Sequence, residues 1–152
     1  MLKRGLNFGR LRQVLSSEKR MSLFTRGLFG ALTNAKYICW VGSDGYPEIA
    51  TSIQMQPSDP NRLILSPTMF QTDLNHIPEG AWVACLAVNP KEFTIMQTKG
   101  IFKGWQKVRG VKVGIIDVEE VYSSIAPKAG DRIYPPPVPG HLFGIEGMYV
   151  RQ

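Results

Sequence analysis

Cysteine and histidine are both scarce in this chain, and each scarcity removes a class of chemistry. Two cysteines, Cys39 and Cys85, occur in 152 residues, each inside an apolar stretch and far from the other. Two such residues make neither a disulfide framework nor a thiolate metal centre. They read as reduced, buried core thiols of a cytoplasmic protein. His76 and His141 are the only histidines, and no His-x-x-x-His pair exists. A Walker loop, a nucleophile elbow and a dinucleotide glycine fingerprint are absent too. Each histidine reads as a surface or structural residue, although His141, beside Gly140, is also placed to cover a site. No apolar run reaches the ~18 residues that cross a bilayer, so no integral membrane segment is expected. Internal repeats are absent.

The formal charge of +6 invites a nucleic-acid reading, but its distribution argues against one. Residues 1–26 hold Lys3, Arg4, Arg10, Arg12, Lys19, Arg20 and Arg26 against Glu18 alone. The remainder carries eleven basic and eleven acidic residues. A neutral body does not bind a polyanion by charge, so no nucleic-acid partner is expected. The basic arm, residues 1–20, has a loose apolar stripe at Leu2, Leu6, Leu11, Val14 and Leu15. It reads as a surface helix or flexible arm, as a segment resting on an anionic membrane surface, or as residues dispensable if Met21 is a second start. Its arginines resemble those of a transit peptide, but Gly5 and Gly9 weaken any helix.

Beyond the arm, SLFTRGLFGALTN (22–34) has the period of a short helix, with Ser22 as N-cap and Asn34 as stop. From residue 36 the period becomes two. KYICWVG runs to a turn at SDG, and PEIATSIQMQ (47–56) follows as one strand. Its alternation places Ile49, Thr51, Ile53 and Met55 on an apolar face and Ala50, Ser52 and Gln54 on a small, polar one. SDPN (58–61) turns the chain into RLILS (62–66). PTMFQTDLNHIPEG (67–80) reads as a short helix closed by Pro78 and Gly80. AWVACLAV (81–88) is so uniformly apolar that both faces are expected to be covered. FTIMQTKGIFKGW (93–105) bends at Gly100, and VKVGIIDVEEVYS (111–123) is the sixth strand. Short strands with regular turns point to a barrel or sandwich. The tail, 127–152, includes YPPPVPG and is expected to be extended. Its Leu142, Phe143, Ile145, Met148, Tyr149 and Val150 need a partner surface.

The segment carrying most chemistry is NRLILSPTMFQTDLN (61–75). A strand enters a helix whose first turn is rich in hydroxyls, and unpaired N–H groups there favour a phosphate. Alternatively Thr68-x-x-Gln71 is a capping box that satisfies the helix end itself.

In order, YICWVGSDGYPEIATSIQ, NRLILSPTMFQTDLN, AWVACLAV and FTIMQTKGIF resemble the pyridoxamine 5′-phosphate oxidase-like split-barrel family, in particular its small flavoproteins. The resemblance spans residues 35–123. It implies a mainly β fold: a six-stranded antiparallel split β-barrel with short flanking helices. The implied organisation is a basic arm and helix (1–34), an FMN-binding barrel (35–126) and a tail packing on the barrel or a partner subunit (127–152).

The resemblance further implies a homodimer binding FMN non-covalently at its interface, as an oxidoreductase with a small-molecule redox partner. The flavin phosphate is expected near Thr68, Gln71, Thr72 and Asn75. The ring is expected against Ala50, Thr51 and Ser52, with Ser66 and Pro67 nearby. Small residues let a flat ring approach the backbone. Tyr46, Trp105 and Tyr134 are candidates to cover it. Many relatives place Lys or Arg where Gln71 stands, so a charge-assisted phosphate contact is missing; Arg62 or Lys103 is a candidate substitute. The basic residues expected of a pyridoxamine phosphate oxidase's substrate site are also missing, so vitamin B6 chemistry is not expected. A non-catalytic electron carrier or flavin sensor, and the family's haem- and deazaflavin-binding branches, are the alternatives.

Overall fold

A computed structural model describes residues 19–67, 71–124 and 130–136, with only the backbone described at Gln71 and Thr72. The arm's apolar stripe, the Thr68 capping position, His141 and the apolar tail lie outside the described residues.

The first helix, α1 (Leu23–Gly30), begins where Ser22 accepts a hydrogen bond from the Thr25 N–H at 3.1 Å. This is the expected N-cap. The helix ends at Gly30, earlier than expected, because Asn34 acts through its side chain: Nδ2 donates to the Leu28 carbonyl at 2.9 Å. Leu28 and Phe29 are buried. Just before the helix, Met21 is fully buried and its N–H donates to the Pro60 carbonyl. Arg20 donates to the Asn61 side chain, the Val118 carbonyl and Glu119. A chain started at Met21 would lose those ties.

Among the described residues eight strands follow where six were expected. They are β1 (Ala35–Val41), β2 (Pro47–Thr51), β3 (Met55–Asp59), β4 (Arg62–Leu65), β5 (Trp82–Asn89), β6 (Thr94–Val108), β7 (Val111–Ser123) and β8 (Asp131–Tyr134), with a four-residue helix α2 (Gln71–Leu74) between β4 and β5. Their order is β2-β1-β5-β6-β7-β4-β3, and β8 pairs with β7. Every pairing is antiparallel. Part of the proline-rich tail is therefore a strand. The other extra strand arises because PEIATSIQMQ is a corner. Its first half pairs with β1, its second half pairs with β4, and residues 52–54 belong to neither ladder.

That corner corrects the expected faces. Ala50, opposite Ile38, turns inward and is buried, whereas Ile49 points outward and is 70% exposed. The break at 52–54 shifts the alternation, so Met55 is buried although it shares parity with Ile49. The small face of β2 thus lies against the barrel interior, where Ile38 and its neighbours leave little room.

The apolar strand β5 is also one-sided. Val83, Cys85 and Ala87 are buried, while Trp82 is 48% exposed and Ala84, Leu86 and Val88 are half-buried. Cys39 and Cys85 stand on adjacent strands but on opposite faces, and both are free thiols. Burial pushes the Cys85 thiol up to about 12, with the Thr98 hydroxyl acting in the other direction. It is not a nucleophile at neutral pH.

The long hairpin β6–β7 holds the barrel together. Its register shifts at Lys99/Gly100, the bend that was expected, and again between Phe102 and Trp105. A Cβ at Gly100 would collide with the Asp117 carbonyl and sit 2.8 Å from its carbon. Gly100→Ala is therefore expected to destabilise the protein by about 3 kcal/mol or more, since backbone rather than a flexible side chain must move. Urea unfolding checks this; a loss below about 1 kcal/mol would show that the bulge can relax.

Candidate functional site

Of the residues selected from sequence, Ala50, Thr51, Ser52, Ser66 and Pro67 flank the 52–54 corner and the end of β4. Ala50 is buried on the inner face, and Thr51 is half-buried opposite Tyr37. Ser52 is 1% exposed and donates its N–H to the Lys36 carbonyl at 3.0 Å. Its hydroxyl is buried without a hydrogen-bond partner among the described residues. Trp40 Nε1, Thr94 Oγ1, Thr98 Oγ1 and Trp105 Nε1 are buried in the same way, so this feature does not single out Ser52. Across the corner, Ser66 donates its N–H to the Gln54 carbonyl at 3.3 Å. Pro67 follows, buried. An open groove of about 360 Å³ runs beside Ser66, lined by Gln54, Gln56, Ile64, Val111, Val113 and Leu32.

Lys36, which sequence reasoning missed, reaches the same corner. It lies on the inner face of β1 with no exposed surface. Its Nζ donates to the Ile53 carbonyl at 3.3 Å, and no carboxylate pairs with it among the described residues. Burial pushes its amine below the usual lysine value of 10.5. The fold thus favours the neutral amine. The cost of the charge is present below the lowered pKa and is relieved as pH rises towards 10.5. The only sequence signal was parity: Lys36 falls in phase with Ile38 and Trp40, which are buried.

The phosphate set divides. Thr68 lies outside the described residues, and Gln71 and Thr72 are placed as the first residues of α2 by backbone alone. Asn75, just past α2, is exposed, and its Oδ1 accepts from Lys112 Nζ at 3.0 Å. The same ammonium sits 5.0 Å from the centre of the Trp105 ring. Lys112 therefore joins two residues selected separately, one on the loop after α2 and one on β6. Trp105 also meets Phe102 edge to face, with ring centres 5.4 Å apart. Nothing local in the sequence marks Lys112, because the β6–β7 hairpin alone brings it to Asn75. Of the two substitute cations, Arg62 is engaged by Asp117 at 2.9 Å. Lys103 is exposed on β6.

The remaining aromatic candidates are apart. Tyr46 is 71% exposed in the β1–β2 turn, at the end of β2 opposite Ser52. Tyr134 packs on the core from β8, opposite Val121. His76 is exposed. No cluster of three or more metal-ligating side chains exists among the described residues.

With this geometry in view, the comparison with solved structures is informative. HupZ from Group A Streptococcus superposes with a TM-score of 0.57 at 20% identity, covering 73% of this chain and 98% of that one. A putative pyridoxamine 5′-phosphate oxidase from Lactobacillus delbrueckii superposes at 0.55, also at 20% identity, covering 70% and 97%. The fold is that of the pyridoxamine 5′-phosphate oxidase-like split barrel. The two extra strands leave that architecture intact. No protein-family model matches the chain, and no curated protein does. Identity at this level speaks for the fold.

The Lys112–Trp105 contact can be measured directly. A double-mutant cycle of Lys112→Ala and Trp105→Leu is expected to return a coupling of about 0.5–1 kcal/mol in urea unfolding, the scale of a half-exposed cation–π pair. Zero coupling would show that the two groups merely lie side by side.

Proposed function

We propose that this chain is a cytoplasmic FMN-binding flavoprotein that works as an oxidoreductase, with non-covalent FMN held at a homodimer interface. The observation that carries the reading is the split-barrel fold, with an open groove beside Ser66 next to the segment expected to hold the ring. A wall of small residues suits the close approach of a flat heterocycle. Ser66 and Pro67 extend that wall. Thr68, Gln71, Thr72 and Asn75 are assigned to the phosphate, and Trp105 to the cover of the site. Bound FMN would supply the hydride or electron transfer. The chain's own part is to bind and orient the ring and to limit water around it.

The dimer reading rests on the outward face of β2, β1 and β5. Ile49 is 70% exposed, Val41 61% and Trp82 48%, with Cys39, Ala84 and Leu86 half-buried between them. A contiguous apolar sheet face of this kind suits an interface. A second copy would cover it by the two-fold, self-complementary packing common to homodimers.

Two experiments test these readings. The purified protein, desalted after incubation with FMN, is expected to retain absorption bands near ~375 and ~450 nm. Thr72→Glu should abolish that retention by placing a negative charge beside the phosphate. A Soret band would move the reading to haem, and a protein that neither colours nor quenches FMN fluorescence would remove the flavin. Light scattering is expected to give a dimer at micromolar concentration. Ile49→Arg should convert it to monomer, because a charge then lies in the apolar contact. A monomeric wild-type protein would refute the interface.

A further inference from the structure

Away from the candidate site, three large apolar side chains stand in solvent at one end of the barrel. Leu23 and Phe24, which open α1, are 79% and 50% exposed, and Phe93 in the β5–β6 turn is 86% exposed. The helix already buries Leu28 and Phe29 against the core, so it is apolar on both sides and calls for a second apolar surface. Phe93 is held outward by construction. Its backbone adopts φ +52°, a left-handed conformation that is strained for a bulky residue. Asn89 braces the turn, its Oδ1 accepting from the N–H groups of Lys91 at 3.0 Å and Glu92 at 3.3 Å. An open groove of about 270 Å³ joins the two elements, lined by Phe24, Gly27, Leu28 and Ala31 on one side and Asn89 and Glu92 on the other. This patch is separate from the apolar sheet face assigned to the dimer. Trp82 of that face begins β5 and Asn89 ends it, so the two lie about 23 Å apart along the strand.

Positive charge collects at the same end. The β3–β4 and β5–β6 turns both lie where β7 finishes. The chain arrives there at the β3–β4 turn, where the Met21 N–H meets the Pro60 carbonyl, and α1 starts two residues later. Ahead of it in sequence come Lys3, Arg4, Arg10, Arg12 and Lys19 against Glu18 alone, whereas residues 27–152 are neutral. We propose that this end of the barrel docks on an anionic phospholipid surface, with Leu23, Phe24 and Phe93 entering the interface and the basic arm meeting the lipid headgroups. Each contribution is weak alone, and reversible membrane docking combines an apolar contact with a basic cluster. A cation near an anionic bilayer strengthens binding about five-fold. A nucleic acid would engage the same cations but offers no place for three apolar side chains. A second copy seated on this patch would bring two basic arms together, which charge repulsion opposes.

The test sediments the full-length protein with vesicles of phosphatidylcholine, alone or with about 30% phosphatidylserine. The wild type is expected to sediment with the anionic vesicles and to stay in solution with the neutral ones. Raising salt from about 0.1 M to about 0.5 M should release it. Phe93→Asn and Leu23→Gln are each expected to weaken vesicle binding about ten-fold, since each removes one apolar side chain from the contact. Asparagine adopts a positive φ more readily than phenylalanine, so Phe93→Asn should keep or raise the melting temperature. That separates lost docking from lost folding. If Leu23→Gln does not fold, Phe93→Asn carries the test alone. Protein that stays in solution with anionic vesicles, or sediments equally with both kinds, would overturn the inference and leave the patch to the chain's own tail or to a second copy. Variants that bind vesicles as tightly as the wild type would overturn it too, because the arm would then act without the patch. So would a change of oligomeric state on substituting Phe93, seen by light scattering. None of these outcomes bears on the flavin reading, whose residues the variants leave intact.

Discussion

Three residues, 52–54, join the two opposite edges of the sheet, and most of the structure depends on that connection. The path β2-β1-β5-β6-β7-β4-β3 begins and ends with strands that are consecutive in the chain. Seven strands laid flat would separate those edges by about 29 Å, at ~4.8 Å per strand. The link from Thr51 to Met55 can span only about 14 Å. The sheet must therefore curl until its edges approach. Strand twist supplies part of the curvature. The register shifts in β6 supply more, at Gly100, where a side chain would strike the facing backbone.

Curling fixes what is inside. Once the sheet is wrapped, the inner face of each strand meets the others across a narrow interior, and only its alternating residues are buried. Cys85, Phe102 and Ile116 fill that space, with α1 packing Phe29 into the core. Among the described residues the outer face has no comparable cover. That is why β5, apolar throughout, is buried on one side only, and why β2 turns Ile49 outward and Ala50 inward. Burial of small residues at Ala50 and Ser52 follows from the same crowding. So does the position of Lys36: it is in phase with Ile38 and Trp40 and cannot turn outward without reversing the whole strand.

The corner is also where the backbone is least occupied by ladder pairing. The Ser52 N–H, the Ile53 carbonyl and the Gln54 carbonyl are taken by Lys36 and Ser66. The connection that closes the barrel is thus the place where side-chain polarity collects inside it. The opposite end of the candidate site is built differently. There the β6–β7 hairpin delivers Lys112 to Asn75 and Trp105, a contact made by one long hairpin against a short helix.

The local features were legible in the sequence. Turn chemistry placed the hairpin at Asp44 and Gly45, where glycine adopts φ +83°, and the bend at Gly100. Periodicity gave Val111–Ser123 its full extent and pointed to a β-barrel or sandwich, and the family resemblance narrowed that to the split barrel. Ser22 was readable as a cap because its partner, Thr25, lies three residues away. These signals depend on neighbours within one turn or one strand. Other features depend on partners remote in the chain. Alternation in residues 47–56 specified two faces, but the pairing of β2 with β1 and of β3 with β4 decided which face was inner and where the strand broke. The burial of Lys36, the unpartnered hydroxyl of Ser52 and the meeting of Lys112 with Asn75 arise only after the edges come together. Periodicity records which residues share a face; barrel closure decides what that face touches.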